Sequence, residues 1–352
     1  MPERRPWSER PLLQLTLVRA REFLREPEAV FWTFLFPVLM TAGLGIAFRN
    51  KPEDKSHVTV LAGAPAARET AARLAGNRLL DVTLLDDSAA ARALRTGKVA
   101  LVIVPRSATS VEYRFDDTRP EGVAARRLTD DALQRAAGRS DPLSVQESRV
   151  RERGSRYIDF LVPGLLGMNL LGSGVWGIGF SIVDARRKRL LKRLVATPMP
   201  KAAYLASFIL SRIALLVLEA GVLLLFARLA FGVPLRGSFA SLALICILSS
   251  LAFGGLGLLI ASRPRTIEGA SGLMNLAMVP MWVFSGIFFS STRFPSVVQP
   301  LVQALPLTAV NNALRANMLE GASLAQVAPQ LAIVAAWLLL CFALALRIFR
   351  WQ

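Results

Sequence analysis

The residues most able to do chemistry in this sequence are Arg212 and Glu219, the two charges in an otherwise apolar run, 202–227. Seven residues is two helical turns, so the pair shares a helix face, about 10 Å apart along the axis. Charges at membrane depth are costly and face protein or a water-filled cavity. Two readings follow. Arg212 can snorkel toward the inner interface while Glu219 bonds a neighbouring helix. Otherwise the two form a functional polar point facing a water-filled cavity or a second chain. Asn169 and Asn275 lie in the apolar runs 160–183 and 269–292 and carry the same choice between structural partner and functional residue.

Bond-making chemistry finds no such footing. The single histidine, His57, reads as a loop residue at a strand start. Cys246 and Cys341 sit inside apolar runs, with neither disulfide nor metal spacing. Asp86–Asp87 and Asp116–Asp117 are acidic pairs of the kind that cap helices and close turns. The sequence contains no G-x-x-x-x-G-K-[ST] and no Ser/His/Asp set. It points to no catalytic residue, no metal ligand and no cofactor in this chain.

A second constellation is "DARRKRLLKRLVATPMPK", 184–201, with seven cations in eighteen positions. At helical spacing Leu190, Leu191, Leu194 and Val195 fall within about 140° of one another, and Arg189, Lys192 and Arg193 fall opposite. Pro198 and Pro200 stop the helix. Scattered cations suffice to hold a loop at anionic lipid. A leucine face beside a basic face, clamped between two long apolar runs, also suits docking of a cytoplasmic partner.

The elements that must position these residues are membrane spans. The chain has 352 residues, 53% hydrophobic and only 19% charged, with a positive mean hydropathy. A net charge of +17 would suggest nucleic acid, but its distribution argues against that partner. Arg outnumbers Lys 36 to 6, which fits a GC-rich genome as well as any binding role. Crossing the hydrocarbon takes roughly 20 apolar residues. Such runs occur at 29–48, 160–183, 202–227, 237–262, 269–292, 294–314 and 321–346. Run 294–314 holds Pro295, Pro300, Pro306 and the pair Asn311–Asn312, so it is expected as a re-entrant segment buried against protein. Six spans remain, and both termini share a side. The first is too long for a signal peptide and is followed by no small-residue cleavage site. Short loops on the N-terminal side carry seventeen Lys and Arg against four on the other, which places both termini and 184–201 in the cytoplasm.

Residues 49–156 form a long insertion between spans 1 and 2, expected as an extracytoplasmic α/β domain. Strand-like "HVTVLAG", "LLDVTLLD", "VALVIVP" and "TSVEYRF" alternate at first with helical "AARETAARLAG" and "SAAARALRTG", and a polar helix over about 119–139 follows. Residues 1–28 hold an amphipathic stretch, 11–26, read as a helix on the inner membrane face before Pro27 re-aims the chain. The expected fold is thus a polytopic α-helical membrane protein: span 1 at 29–48, the α/β domain, then spans 2–6 within 157–352.

Three stretches resemble one family. "DARRKRLLKRLVATPMPKAAYLASFILSR" is similar to the loop after the second span of ABC-2 type transporter permeases, where an acidic residue, a basic cluster and L-x-A-T-P precede span 3. "GASGLMNLAMVPMWVFSGIFFSSTRFPSVVQPLVQALPLTAVNNALRANMLEG" resembles the family's region from span 5 toward the last span. "REFLREPEAVFWTFLFPVLM" resembles its inner-face helix leading through a proline into span 1. The insertion resembles that of the longer members associated with multidrug export. Two departures stand out: Asp184 replaces the usual Glu, and "RRKRLLKR" replaces a common Gly-Thr.

The resemblance implies the membrane subunit of an ABC exporter in a bacterial cytoplasmic (inner) membrane. Its substrate would be drug-like, lipid or otherwise amphiphilic. Its partners would be a separate ABC ATPase subunit carrying ATP and Mg, a second permease copy or close homologue, membrane lipid and, in some systems, a periplasmic adaptor. It also makes 184–201 the coupling loop, with Arg187, Arg189, Leu190, Leu191, Lys192, Arg193 and Leu194 as the residues that grip the ATPase, and it makes the functional reading of Arg212, Glu219, Asn169 and Asn275 a polar point on the substrate's translocation pathway at a dimer interface. Against this stand an ion-driven secondary transporter and a membrane enzyme acting on lipid or glycan. The first asks for internal repeats and several intramembrane carboxylates, and the second for a convergent set of titratable groups. The sequence supplies neither.

Overall fold

The computed structural model describes residues 11–49, 55–107, 109–143, 146, 154–188, 201–264 and 266–348. The chain divides into two compact units, residues 1–49 with 150–352, and residues 50–149. The first unit opens with α1 (Pro11–Arg25), which leaves Leu17 and Leu24 exposed. The next membrane-length helix is composite. Helix α2 (Pro27–Val30) runs into a π-turn at Phe31–Leu35 and then α3 (Phe36–Arg49). The irregular turn precedes Pro37, which has no N–H to donate back to Thr33 and so leaves that carbonyl to find another partner.

The second unit is a four-stranded sheet of order β2-β1-β3-β4. Strands β1 (Ser56–Leu61), β2 (Leu80–Leu85) and β3 (Leu101–Pro105) are parallel, and β4 (Val111–Arg114) adds to β3 antiparallel. Helix α4 (Ala67–Ala75) connects β1 to β2, and α5 (Asp87–Arg95) connects β2 to β3. Alternation along β1 and β3 sends Val58, Val60, Leu101 and Ile103 to one face, where they pack with Leu74 of α4 and Ala125 of α6 (Pro120–Ala136). Val102 and Val104 pack on the other face with Ala90 and Ala93 of α5. Asp86 caps α5, accepting from the Ala89 N–H at 2.7 Å, and that bond holds its carboxyl below the ordinary value. Asp116 closes a turn by accepting from Thr118 N–H and Oγ. His57 lies in β1, its Nδ1 2.8 Å from Asp81 Oδ2 on the paired strand.

The remaining helices are α7 (Tyr157–Arg187), α8 (Lys201–Phe231), α9 (Phe239–Ala261), α10 (Ile267–Phe284), α11 (Gln299–Ala304), α12 (Pro306–Arg315) and α13 (Ala328–Ile348). Among the described residues five helical stretches are long and apolar enough to cross a membrane: Pro27–Phe48, Tyr157–Asp184, Leu210–Phe231, Phe239–Ala261 and Ala328–Ile348. Helix α7 is the centre of the bundle, with 83% of its apolar window buried, against 17% for the last helix. Glycine makes that centrality possible. A Cβ on Gly174 would lie 2.7 Å from Phe253 Cβ, and one on Gly257 2.7 Å from the Val175 carbonyl, so α7 and α9 meet with almost no side chain between them.

Two expected spans differ in extent. Run 269–292 becomes α10, which ends at Phe284; Gly286 turns the chain with φ +71°, and the Ser285 carbonyl is taken by Asn311 Nδ2. Run 321–346 becomes α13, which starts only at Ala328. Run 294–314 is no continuous helix: α11 and α12 break at Leu305, where the next residue, Pro306, opens α12. Almost all of α12 is buried, including Asn311.

Candidate functional site

Arg212 and Glu219 meet. Neither the 10 Å of helix rise nor an interface separates their charged groups: Arg212 Nη2 donates to Glu219 Oε1 at 2.9 Å. The Arg212 side chain reaches forward along α8 to Glu219, and Glu219 also bonds Ser173 on the neighbouring helix α7. The guanidinium is also fixed from both sides. Its Nε donates to Ser250 Oγ on α9 at 3.0 Å, and its Nη2 to Ser173 Oγ on α7 at 2.6 Å. The Ser173 hydroxyl has one proton to share between the Asn169 carbonyl at 2.7 Å and Glu219 Oε1 at 3.1 Å. The Glu219 side chain is fully buried and that of Arg212 is 12% exposed. Three helices are thus joined by one neutral pair of opposite charges, with Glu219 Oε2 lacking a hydrogen-bond partner among the described residues.

Asn169 sits one turn before Ser173 on α7 and reaches the other way. Its Nδ2 donates to the Thr33 carbonyl at 3.0 Å, the group that Pro37 cannot satisfy. Its own carbonyl binds Ser173, so Asn169 connects the first membrane helix to the charged pair. Asn275 does not join them. It is exposed on α10 while Met274 and Met278 of the same helix are buried. The structure therefore brings together three of the four residues singled out for a pathway and leaves the fourth on the surface of this chain.

The basic segment is described only at its root. Arg187 is exposed at the end of α7. Arg189, Leu190, Leu191, Lys192, Arg193 and Leu194 lie outside the described residues, as do Pro198 and Pro200. Lys188 pairs with Asp184 at 2.8 Å. That hydrogen bond raises the Lys188 ammonium above its ordinary value, with the charges of Glu22 and Glu26 adding to it. Helix α1 also packs along α8, the helix to which the segment returns. Arg186 turns inward instead. Its Nη1 donates to the carbonyls of Ala261 and Pro264, both at 3.1 Å, and Nη2 lies 3.5 Å from that of Ser262. These are carbonyls at and just past the C-terminus of α9, where helical partners run out.

A second polar knot lies at the other end of α7. Arg156 binds Asp159 through two nitrogens at 2.9 and 2.8 Å, and the buried Asp159 also accepts from the Gly154 N–H. Arg315 of α12 donates to the Phe160 and Gly286 carbonyls and lies 3.7 Å over the Phe160 ring. Asn311 packs against Gly167, where a Cβ would collide with its Oδ1. Sequence reasoning missed Ser173, Ser250 and Arg186 as parts of these networks. Serines in apolar helices are common, and in a run of cations only packing distinguishes the one that turns inward.

The arrangement can hold helices in register and can move with them. It offers no nucleophile–base pair, and among the described residues no group of three or more His, Cys, Asp or Glu could hold a metal ion. Residues 28–347 match the family described as ABC-2 family transporter protein, a span that takes in the first membrane helix, the basic segment, the charged pair and nearly all of the last helix. Curated relatives include ABC transporter G family member 20 of Dictyostelium discoideum, 30% identical over 53% of this chain and 26% of the relative. They also include the inner membrane transport permease YadH of Escherichia coli K12, 27% identical over 44% of this chain and 60% of the relative. The linearmycin resistance permease protein LnrN of Bacillus subtilis is 26% identical over 49% of this chain and 45% of the relative. The chain spans less than two thirds of the length of each. On the extent of the family match, this helical integral membrane chain belongs to the ABC-2 family of transporter proteins.

Proposed function

We propose that the chain is the membrane subunit of an ATP-driven exporter. It would move a drug-like, lipid or other amphiphilic substrate out across a bacterial cytoplasmic membrane by alternating access. The observation that carries this reading is the family match from residue 28 to residue 347. The family normally works with an ABC ATPase subunit, and this sequence has no P-loop of its own. ATP and Mg therefore belong to the partner. The name of one relative, a linearmycin resistance permease protein, supports export over uptake.

In this reading 184–201 is the coupling loop, with Arg187, Arg189, Lys192 and Arg193 on its basic side and Leu190, Leu191 and Leu194 on its apolar side. Motion of the ATPase would reach the spans through it as rigid-body displacement. Helix α10 serves as the fifth span in chain order and brings the total to six: its 18 residues rise about 27 Å, close to the hydrocarbon thickness. The broken pair α11 and α12 is the re-entrant segment, which the burial of Asn311 against protein supports. The α/β unit is extracytoplasmic, both termini are cytoplasmic, and α1 lies on the inner membrane face with Leu17 and Leu24 toward lipid. A second copy or close homologue completes the pathway, and the exposed Asn275 suits that interface. A periplasmic adaptor is a further partner where export crosses the whole envelope.

The test is reconstitution with a candidate ATPase in proteoliposomes. ATP-dependent movement of a fluorescent amphiphile, absent without either subunit, is expected. An ion gradient that drives the same movement without ATP would instead establish the secondary-transporter reading.

A further inference from the structure

We infer that Arg186 is a positioning residue that ties the root of the basic segment to the inner end of α9, so that displacement of that segment moves α7, α9 and the α9–α10 connection together. The inference rests on the coupling reading of 184–201 and deepens it by separating one arginine from the docking face.

Within three consecutive positions the side chains part company. Arg187 and Lys188 are exposed, and Lys188 folds back on Asp184. Arg186 alone of the three crosses to another element. It reaches 75 to 78 residues along the sequence to Ala261, Ser262 and Pro264. The target is a helix end that cannot cap itself. Ser262 bonds backward through its N–H to Leu259 and its Oγ to Leu258, while the carbonyls at 261 and 262 lie within reach of Arg186. Pro264 ends any continuation and has no N–H. Ala261 and Ser262 are fully buried, so water is a poor substitute. A guanidinium suits this place because its rigid planar fork serves several acceptors at once and its charge opposes the negative end of the helix dipole. Lysine offers a point charge and can satisfy only part of the set.

The mechanical consequence follows from position. Helix α9 already meets α7 backbone to backbone at Gly174 and Gly257. Arg186 extends that contact to the last turn, one residue before the described helix ends and three before the basic segment leaves the described residues. A push on 189–200 thereby reaches α9 without passing through the lipid-facing helices. Lys188 stays on its own helix, paired with Asp184. Arg186 is thus the strut between the root and α9.

Spin labels at Lys188→Cys and Arg263→Cys, both exposed positions, read the strut directly, since the two native cysteines are buried. In the complex with its ATPase the wild-type distance should stay constant between nucleotide-free and ATP-bound states. In Arg186→Gln it should broaden and shift between states. The same variant should bind the ATPase as wild type does, within about twofold, yet lose about tenfold in ATP-driven transport, with Arg186→Lys recovering part of it. A constant distance in Arg186→Gln with wild-type transport overturns the inference, as does a wild-type distance that changes with nucleotide. If wild type neither binds an ATPase nor transports with ATP, the coupling reading fails. The label distance in the purified protein then still decides whether Arg186 holds α9: an Arg186→Gln distribution as narrow as wild type overturns it.

Discussion

Replacing Arg212 by methionine isolates the cost of the buried pair. The substitution keeps the apolar stem and removes a guanidinium that is bonded to Glu219, Ser173 and Ser250. It leaves a fully buried carboxylate with only the shared proton of Ser173. Removing one partner of a buried pair costs about 3–5 kcal/mol. For a unit of this size that corresponds to a fall in Tm on the order of 10 °C. The double variant Arg212→Met with Glu219→Leu removes both charges and fills the space with apolar atoms, a change that is often neutral or stabilising. The double variant should therefore be more stable than the single one, by about 3 kcal/mol or more. Intrinsic tryptophan fluorescence during thermal unfolding in detergent measures both. A single variant within about 1 kcal/mol of wild type would mean that the carboxylate is solvated and would refute the reasoning. Activity separates a lock from a pathway residue. A lock makes transport in the double variant follow its stability, whereas a pathway role makes transport fail in a stable protein.

Asn169→Ala should cost about 1–3 kcal/mol by orphaning the Thr33 carbonyl, and Pro37→Ala in the same chain should recover part of it by restoring the missing N–H, both read as melting temperature. Gly167→Ala should destabilise by about 1–3 kcal/mol because its Cβ meets Asn311, and Gly167→Ala with Asn311→Ala should be milder than the two single losses summed. Burial and the nearby Asp130 push the Tyr113 phenol up to about 12 from 10.0. Because the folded value is the higher one, its contribution to stability is complete below pH 10 and is lost as pH rises toward 12. Ultraviolet titration of tyrosinate, compared with Tyr113→Phe, checks that shift.

The parts of this protein set by length and period were legible in its sequence. Apolar runs announced most of the bundle because hydrocarbon thickness fixes how long a crossing helix must be. The strand and helix order of the α/β unit followed from alternation at Val58 and Val60 and from breaks such as Gly97, which does adopt φ +71°. What stayed hidden depends on tertiary reach. A seven-residue spacing shows that Arg212 and Glu219 share a face, but not that a long arginine side chain spans two turns and finds serines on two other helices. The end of α10 at Phe284 depends on Asn311, 26 residues away from the carbonyl it binds. Arg186 looks like its neighbours until packing turns it inward. The leucine face at 190–194 remains a sequence inference, since it lies outside the described residues.

That face is where the account is most directly open to contradiction. Leu191→Asp with Arg193→Glu reverses one charge and breaks the apolar side without touching Arg186 or the buried pair. Copurification from membranes with the ATPase subunit is the measurement. Loss of the ATPase from a protein that still inserts and melts as wild type does is the predicted result. Retained ATPase binding together with ATP-driven transport would contradict the claim that this segment is the coupling element.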